Sequence, residues 1–278
     1  MKKNFRRKKR ALYLIIEIIA VLIISVGLTV GTIKIVAIAV RVYKIHKHSV
    51  DISNISEGLI QYKQVNGTYA GDTPAAKLTG AAAGNTFLLA DIAALPATAT
   101  GQGYVADEVA SIVFRELYLG KFISFNINIA ESASATAKLY DLVSKTFLPT
   151  SSIDDSLAFF VTSANNSSIG SLATGGPNPS PKIYLFRYGQ MTTAAKLTFG
   201  GSGNVGQAGA LAATVASELD LKIDDGKCNF GNLLANNPAT GAATLCCDTA
   251  NLTGTGYTSN SSDNGSNGCI MEFLTPVV

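Results

Sequence analysis

The sequence predicts an α+β protein: a long N-terminal transmembrane and amphipathic stalk helix, followed by a head domain built on an antiparallel sheet. Three observations carry this. Between Ala11 and Ile33 lies an apolar run of about 23 residues interrupted by one charge, Glu17, long enough to cross a bilayer. Beyond it, Ile35, Ile38, Val42 and Ile45, then Ile52, Ile55, Leu59 and Tyr62, recur at helical spacing. Further on, Leu157–Thr162 and Ile183–Tyr188 cluster β-branched and aromatic residues between turn signals.

Charge divides the chain. Seven of the 22 Lys and Arg residues fall within residues 1–10, which contain no acid. The remainder is mildly acidic, so the overall basic balance is a leader effect and gives no reason to expect nucleic-acid binding. By the positive-inside rule the basic leader stays in the cytoplasm and everything after the span lies across the membrane. The apolar run is longer than the 7–15-residue core of a secretory signal peptide, and no A-x-A-like exit site follows it before Lys34. The domain reading is therefore a leader at 1–11, a membrane-spanning half-helix at 12–34, an amphipathic half-helix at 35–65, and an extracytoplasmic head at 66–278. A lone carboxylate in hydrocarbon costs roughly 2.5–3.5 kcal/mol on insertion scales, so Glu17 calls for a partner. Headgroups a turn or two away are one solution; a neighbouring protein chain is another.

Asn66-Gly67 is a helix stop signal, and Gly58 is a weak point before it. Residues 67–104 read as loop-rich with a short apolar segment at Thr86–Leu95. Residues 105–120 read as a helix with Val109, Ile112, Val113 and Leu117 on one face. A short helix is expected at 135–147 and another at Ala208–Leu221. The run Gly175-Gly176-Pro177-Asn178-Pro179-Ser180-Pro181 separates the two strand segments and suggests a hairpin. Gly254–Gly268 reads as a polar loop.

The segment Arg10-Ala11-Leu12-Tyr13-Leu14-Ile15-Ile16-Glu17-Ile18-Ile19-Ala20 resembles the amino-terminal signature of type IV pilins and type II secretion pseudopilins. Three later landmarks are similar to features of that family: Tyr62-Lys63-Gln64-Val65-Asn66-Gly67-Thr68-Tyr69-Ala70-Gly71-Asp72 at the end of the stalk, Phe114-Arg115-Glu116-Leu117-Tyr118-Leu119-Gly120-Lys121-Phe122-Ile123 as a head-domain helix, and Leu219-Asp220-Leu221-Lys222-Ile223-Asp224-Asp225-Gly226-Lys227 near the C-terminus. The resemblance implies removal of the leader by a prepilin peptidase in the inner membrane, with Ala11 or Leu12 before the cut, and N-methylation of the new terminus. Cutting after Leu12 makes Glu17 the fifth mature residue; cutting after Ala11 makes it the sixth. It implies assembly with copies of itself or other pilin-like subunits, each new α-amine pairing with a neighbour's Glu17 to set axial register. A single-pass envelope protein that never polymerises is the alternative.

All four cysteines, Cys228, Cys246, Cys247 and Cys269, lie in the last fifth of the chain. Outside the cytoplasm an even set points to disulfides. A bond between adjacent Cys246 and Cys247 is the strained choice, which leaves Cys228 with one of them and Cys269 with the other. The spacing is not that of a zinc ribbon or finger. Asp220, Asp224 and Asp225 before Gly226 could hold Ca2+ through oxygen, as major pseudopilins do near their C-termini, although a turn that caps local N–H groups uses the same residues. No other cofactor is expected. His46 and His48 do not share a helix face, and no nucleophile–base–orienter set can be assembled, so an enzyme is not expected. The Gly200–Gly206 run lacks the Lys-Ser/Thr of a phosphate loop.

Overall fold

The computed structural model of the chain describes residues 2–95, 100–105, 109–133, 139–163, 180–187, 211–228, 231–236, 246, 256–257 and 269–275. It divides into two compact units, Met1–Lys44 and Ile45–Val278.

The first unit is the beginning of helix α1 (Lys2–Asn66). Every side chain from Ile15 to Lys44 is exposed, as the near-continuous apolar sequence demands of a helix meant for lipid or for other helices. This helix is long and apolar enough to span a membrane. Ser25, Thr29 and Thr32 turn their hydroxyls onto the helix backbone. Ser25 Oγ donates to Val21 O at 2.8 Å, Thr29 Oγ1 to Ser25 O at 2.8 Å and Thr32 Oγ1 to Thr29 O at 2.9 Å.

The second unit contains the end of α1. There the amphipathic stripe is buried as the spacing predicts: Ile45, Ile52, Ile55, Leu59 and Tyr62 all lie in the core. The helix stops at Gly67, whose φ of 74° and N–H bond of 2.7 Å to Lys63 O form the left-handed cap that glycine favours. Gly58 is no weak point. A Cβ there would come within 2.9 Å of Ile123 Cγ2 and 3.0 Å of Phe122 O, so its missing side chain lets the Phe122-Ile123 segment lie directly on α1.

After a 3₁₀ turn at Ala75–Lys77 come α2 (Gly80–Ala83), α3 (Thr86–Ala93), α4 (Ala110–Leu119), α5 (Leu139–Ser144) and α6 (Ala213–Ile223). The apolar segment at Thr86–Leu95 is thus mostly helix α3, capped by Asn85, whose Oδ1 accepts the N–H of Leu88 at 2.8 Å. α4 begins five residues later than its sequence pattern suggested, and α5 ends at Ser144, three residues before the expected bound, while 135–138 lie outside the described residues.

Four strands, β1 (Leu157–Thr162), β2 (Lys182–Arg187), β3 (Leu233–Asn236) and β4 (Ile270–Leu274), form one antiparallel sheet in the order β1-β2-β4-β3. The expected pairing of the first two strands is present, with Phe159 opposite Leu185. The connection is described only at Ser180 and Pro181; the rest of the Gly/Pro run, like the Gly200–Gly206 run, lies outside the described residues. Strands β3 and β4 have no counterpart in the sequence reading. Strand β1 is buried along its whole length although it stands at the sheet edge. Residues 149–151 cover that edge, with Phe159 N–H donating to Pro149 O at 3.0 Å and Ser151 N–H to Leu157 O at 2.8 Å, so no strand edge is left open there.

The sheet face bearing Phe159, Leu185, Met271 and Leu233 meets α1 at His48 and Ile52. His48 is fully buried and stacks on Phe159 with ring centroids 5.0 Å apart. Its Nδ1 lies 2.9 Å from Ser151 Oγ. Burial lowers its pKa to about 3, so the ring is neutral and acts as packing. His46 is exposed on another face.

Candidate functional site

Two places carry the chemistry that the sequence singled out. The first is the exposed apolar stretch of α1. Glu17, Ala20, Ile24, Gly27 and Gly31 follow one another at spacings of three and four, so they form one stripe along the helix. All five are exposed. A Cβ built on Gly27 or Gly31 meets no atom within 4 Å. Neither glycine is therefore required by packing among the described residues. A Gly-x-x-x-Gly pair in an apolar helix is a surface on which a second helix can approach closely. Ala11 and Leu12 are helical positions of α1; their side chains lie outside the described residues.

The second is the end of α6. Asp220, Asp224 and Asp225 offer carboxylate oxygens that all lie within 4.8 Å of one another. Asp220 is fully buried; its Oδ2 accepts the phenol of Tyr257 at 2.7 Å, while its Oδ1 is buried without a hydrogen-bond partner among the described residues. Asp224 Oδ2 accepts the N–H groups of Asn232 and Leu233, the latter at 3.1 Å. Asp225 Oδ1 accepts Lys227 N–H at 2.9 Å, and Lys227 Nζ stands 3.5 Å from Asp225 Oδ2. Burial, then the like charges of Asp225 and Asp224, push the Asp220 carboxyl up to about 6. Burial, followed by the neighbouring Asp220, also pushes the Tyr257 phenol up. Turn capping accounts for part of the set. Asp224 and Asp225 each cap local N–H groups, and Asp220 keeps an unsatisfied oxygen against two further carboxylates. Such a cluster is chemically suited to a hard, oxygen-seeking divalent cation.

The cysteines close this region. Cys246 and Cys269 are bonded, with Cα atoms 5.1 Å apart. This is one half of a pairing left open by the sequence, and it excludes a Cys246–Cys247 bond. Cys228 is buried and also disulfide-bonded; Cys247 lies outside the described residues. Tyr257 sits inside the loop closed by the Cys246–Cys269 bond. Cys269 in turn exchanges backbone hydrogen bonds with Leu211, N–H to O distances being 3.2 and 2.5 Å, just ahead of α6. The partner of Asp220 is thereby brought from 37 residues away, and nothing local in the sequence signals it.

The sequence reading also missed a buried ion pair. Arg115 on α4 meets Asp91 on α3, Nη1 to Oδ2 being 2.5 Å. The same guanidinium donates to Asn128 O and Glu131 O and lies over the Phe147 ring at 5.0 Å. Asp91 additionally accepts Ser132 Oγ–H at 2.5 Å and Ala133 N–H at 3.0 Å. These contacts tie residues 128–133 onto the two helices.

The Gly71-Asp72 landmark has a packing explanation. Gly71 has φ 87°, and a Cβ on it would come within 2.6 Å of Val113 Cγ2. Asp72 is buried and accepts the N–H groups of Gln102 at 2.7 Å and Gly103 at 2.9 Å. The turn after α4 needs its glycine for space rather than for dihedral freedom. Gly120 has an ordinary φ of −76°, but a Cβ there would meet the Phe122 ring at 2.6 Å, and Lys121 takes the positive φ of 62°.

No protein-family model, curated protein or solved structure matches this chain. The class that the structure defines is a mixed helix and antiparallel-sheet protein with a long apolar N-terminal helix.

Proposed function

We propose that this protein is a structural subunit of a membrane-anchored filament, a pilin or pseudopilin of the type IV pilus or type II secretion kind, assembling through its apolar N-terminal helix. The observation that carries this reading is the exposed stripe on α1, in which one carboxylate, Glu17, is followed by Ala20, Ile24, Gly27 and Gly31. Apolar residues alone would be satisfied by lipid. A charge that is costly in lipid, in line with small residues that leave room for another backbone, is better satisfied by a second helix. On this reading the leader stays in the cytoplasm of a bacterium, a prepilin peptidase cuts after Ala11 or Leu12 at the inner membrane, and the freed α-amine pairs with Glu17 of the next subunit. The head lies in the periplasm or, after assembly, outside the cell.

The acidic cluster of Asp220, Asp224 and Asp225 serves on this reading as a Ca2+ site that braces the C-terminal region together with the disulfide. Calcium would replace the missing partner of Asp220 and remove the repulsion among the three carboxylates.

Association is tested by Gly31→Ile, because a Cβ there meets no atom within 4 Å among the described residues. Cross-linking in the native membrane should show multimers of the wild type and a loss of at least tenfold in Gly31→Ile and in Glu17→Ala, with insertion intact. Mass spectrometry of the mature N-terminus should show a leader lost after Ala11 or Leu12. A monomeric protein with its leader retained would establish the single-pass anchor instead.

A further inference from the structure

We propose that the hollow beside the end of α1 binds a small aliphatic primary amine, its ammonium group pairing with Glu116. This site is independent of filament assembly. Glu116 lies on α4 and is fully buried. Its Oε2 accepts the N–H of Gly71 at 3.0 Å, which orients the carboxyl group. Its Oε1 is buried without a hydrogen-bond partner among the described residues. A buried carboxylate ordinarily has a counter-charge. The groups that act on Glu116 are the Tyr62 phenol from α1 and the Thr73 hydroxyl and Gly71 N–H from the following loop, all three as hydrogen-bonding groups, and Asp72, a second acid. None of these is a cation. Residues 79–82, which form another wall of the hollow, bring no titratable group.

The hollow has a volume of about 390 Å³, and Glu116 lines it with Tyr62, Val65, Thr79, Leu119 and Phe122. Apolar side chains such as Val65, Leu119 and Phe122 beside a few polar or charged groups are the usual composition of a small-molecule site. Here they select a positive head on a short hydrocarbon tail. A larger hollow of about 720 Å³ shares Leu119, Lys121 and Phe122 with it. Lys121 is exposed at this shared wall and is the internal cation that a ligand ammonium would have to outcompete.

Burial, the largest influence on Glu116, raises its pKa to about 7. Binding an ammonium requires the ionised form. Affinity should therefore be full above pH 7 and fall about tenfold per unit below it.

The test uses the full chain in detergent, titrated with n-butylammonium at pH 8 by calorimetry, with n-butanol as the neutral analogue of the same length. The expected result is saturable binding of the amine, at least tenfold tighter than butanol and lost in Glu116→Gln, together with a downward shift of the Glu116 carboxyl titration followed by ¹³C NMR. Equal binding of amine and alcohol would overturn the proposal, as would undiminished binding by Glu116→Gln. Binding that appears only in Lys121→Met would also overturn it, by showing that Lys121 already neutralises Glu116.

Discussion

Removing the Cys246–Cys269 bond should destabilise the head by about 3.4 kcal/mol. The bond spans 23 residues, and closing a loop of that length takes about 11–12 cal/mol/K of entropy from the unfolded chain, hence that figure at 25 °C. The second unit runs from Ile45 to Val278, a size at which 1 kcal/mol moves the melting midpoint by about 2–4 °C. The Cys246→Ala/Cys269→Ala variant should then melt about 7–14 °C below the oxidised wild type. Alanine is the right replacement because both sulfurs are fully buried and a serine hydroxyl would add an unsatisfied group. The bond holds the loop that carries Tyr257 to Asp220 and keeps Cys269 paired with Leu211. Urea unfolding followed by circular dichroism gives the free energy; comparing its slope with that of the wild type shows whether the denatured state has changed. A loss below about 1 kcal/mol would refute the reasoning, because it would mean that the loop between the cysteines is already restrained in the unfolded chain.

Three further outcomes are expected. Asp91→Ala should cost about 3–5 kcal/mol by leaving the buried Arg115 guanidinium without its carboxylate, whereas Asp91→Leu/Arg115→Met should cost much less than the two single changes together; a double-mutant cycle by urea unfolding checks this. Gly71→Ala should cost about 2–5 kcal/mol, combining a positive φ with the clash against Val113 and Val109, and a midpoint unchanged in thermal unfolding would exclude the packing account. His48 and Glu116 should oppose each other in the pH dependence of stability. The folded protein retains a proton on Glu116 between its ordinary value of 4.5 and about 7, so stability falls as pH rises through that window. It refuses a proton on His48 between 6.5 and about 3, so stability falls as pH drops through that one. Each slope is about 1.4 kcal/mol per pH unit at most. Glu116→Gln should therefore expose the loss on acidification below pH 6.5, and His48→Phe the loss on raising pH from 4.5 to 7; unfolding curves at half-unit pH steps measure both.

Pattern-bearing elements were legible in the sequence. The α1 stripe and the buried face of α4 repeat apolar residues at helical spacing, and β1 and β2 cluster β-branched and aromatic residues between turn signals. Elements without such a repeat were not. Helix α3 depends on one cap residue, Asn85, ahead of an apolar segment too short to show a period. Strand β3 is four residues long, and it becomes a strand because β4, more than thirty residues away, supplies its hydrogen bonds. The acidic cluster was visible as three carboxylates close in sequence, but its buried, partly unsatisfied character comes from Tyr257 and the disulfide loop.

The sequence by itself determined the long apolar helix with its single acid, because bilayer-length hydrophobicity and helical spacing are properties of contiguous residues. It also determined that the cysteines crowd into the C-terminal region, without deciding how they join. Tertiary structure alone decided which glycines are indispensable, which carboxylates are buried and where the countercharges lie. Those properties depend on atoms brought together from distant positions: Gly58 against Phe122, Arg115 against Asp91, and Glu116 beneath Gly71. A residue's type fixes what charge it can carry, but only its packed surroundings fix whether water or another side chain answers that charge.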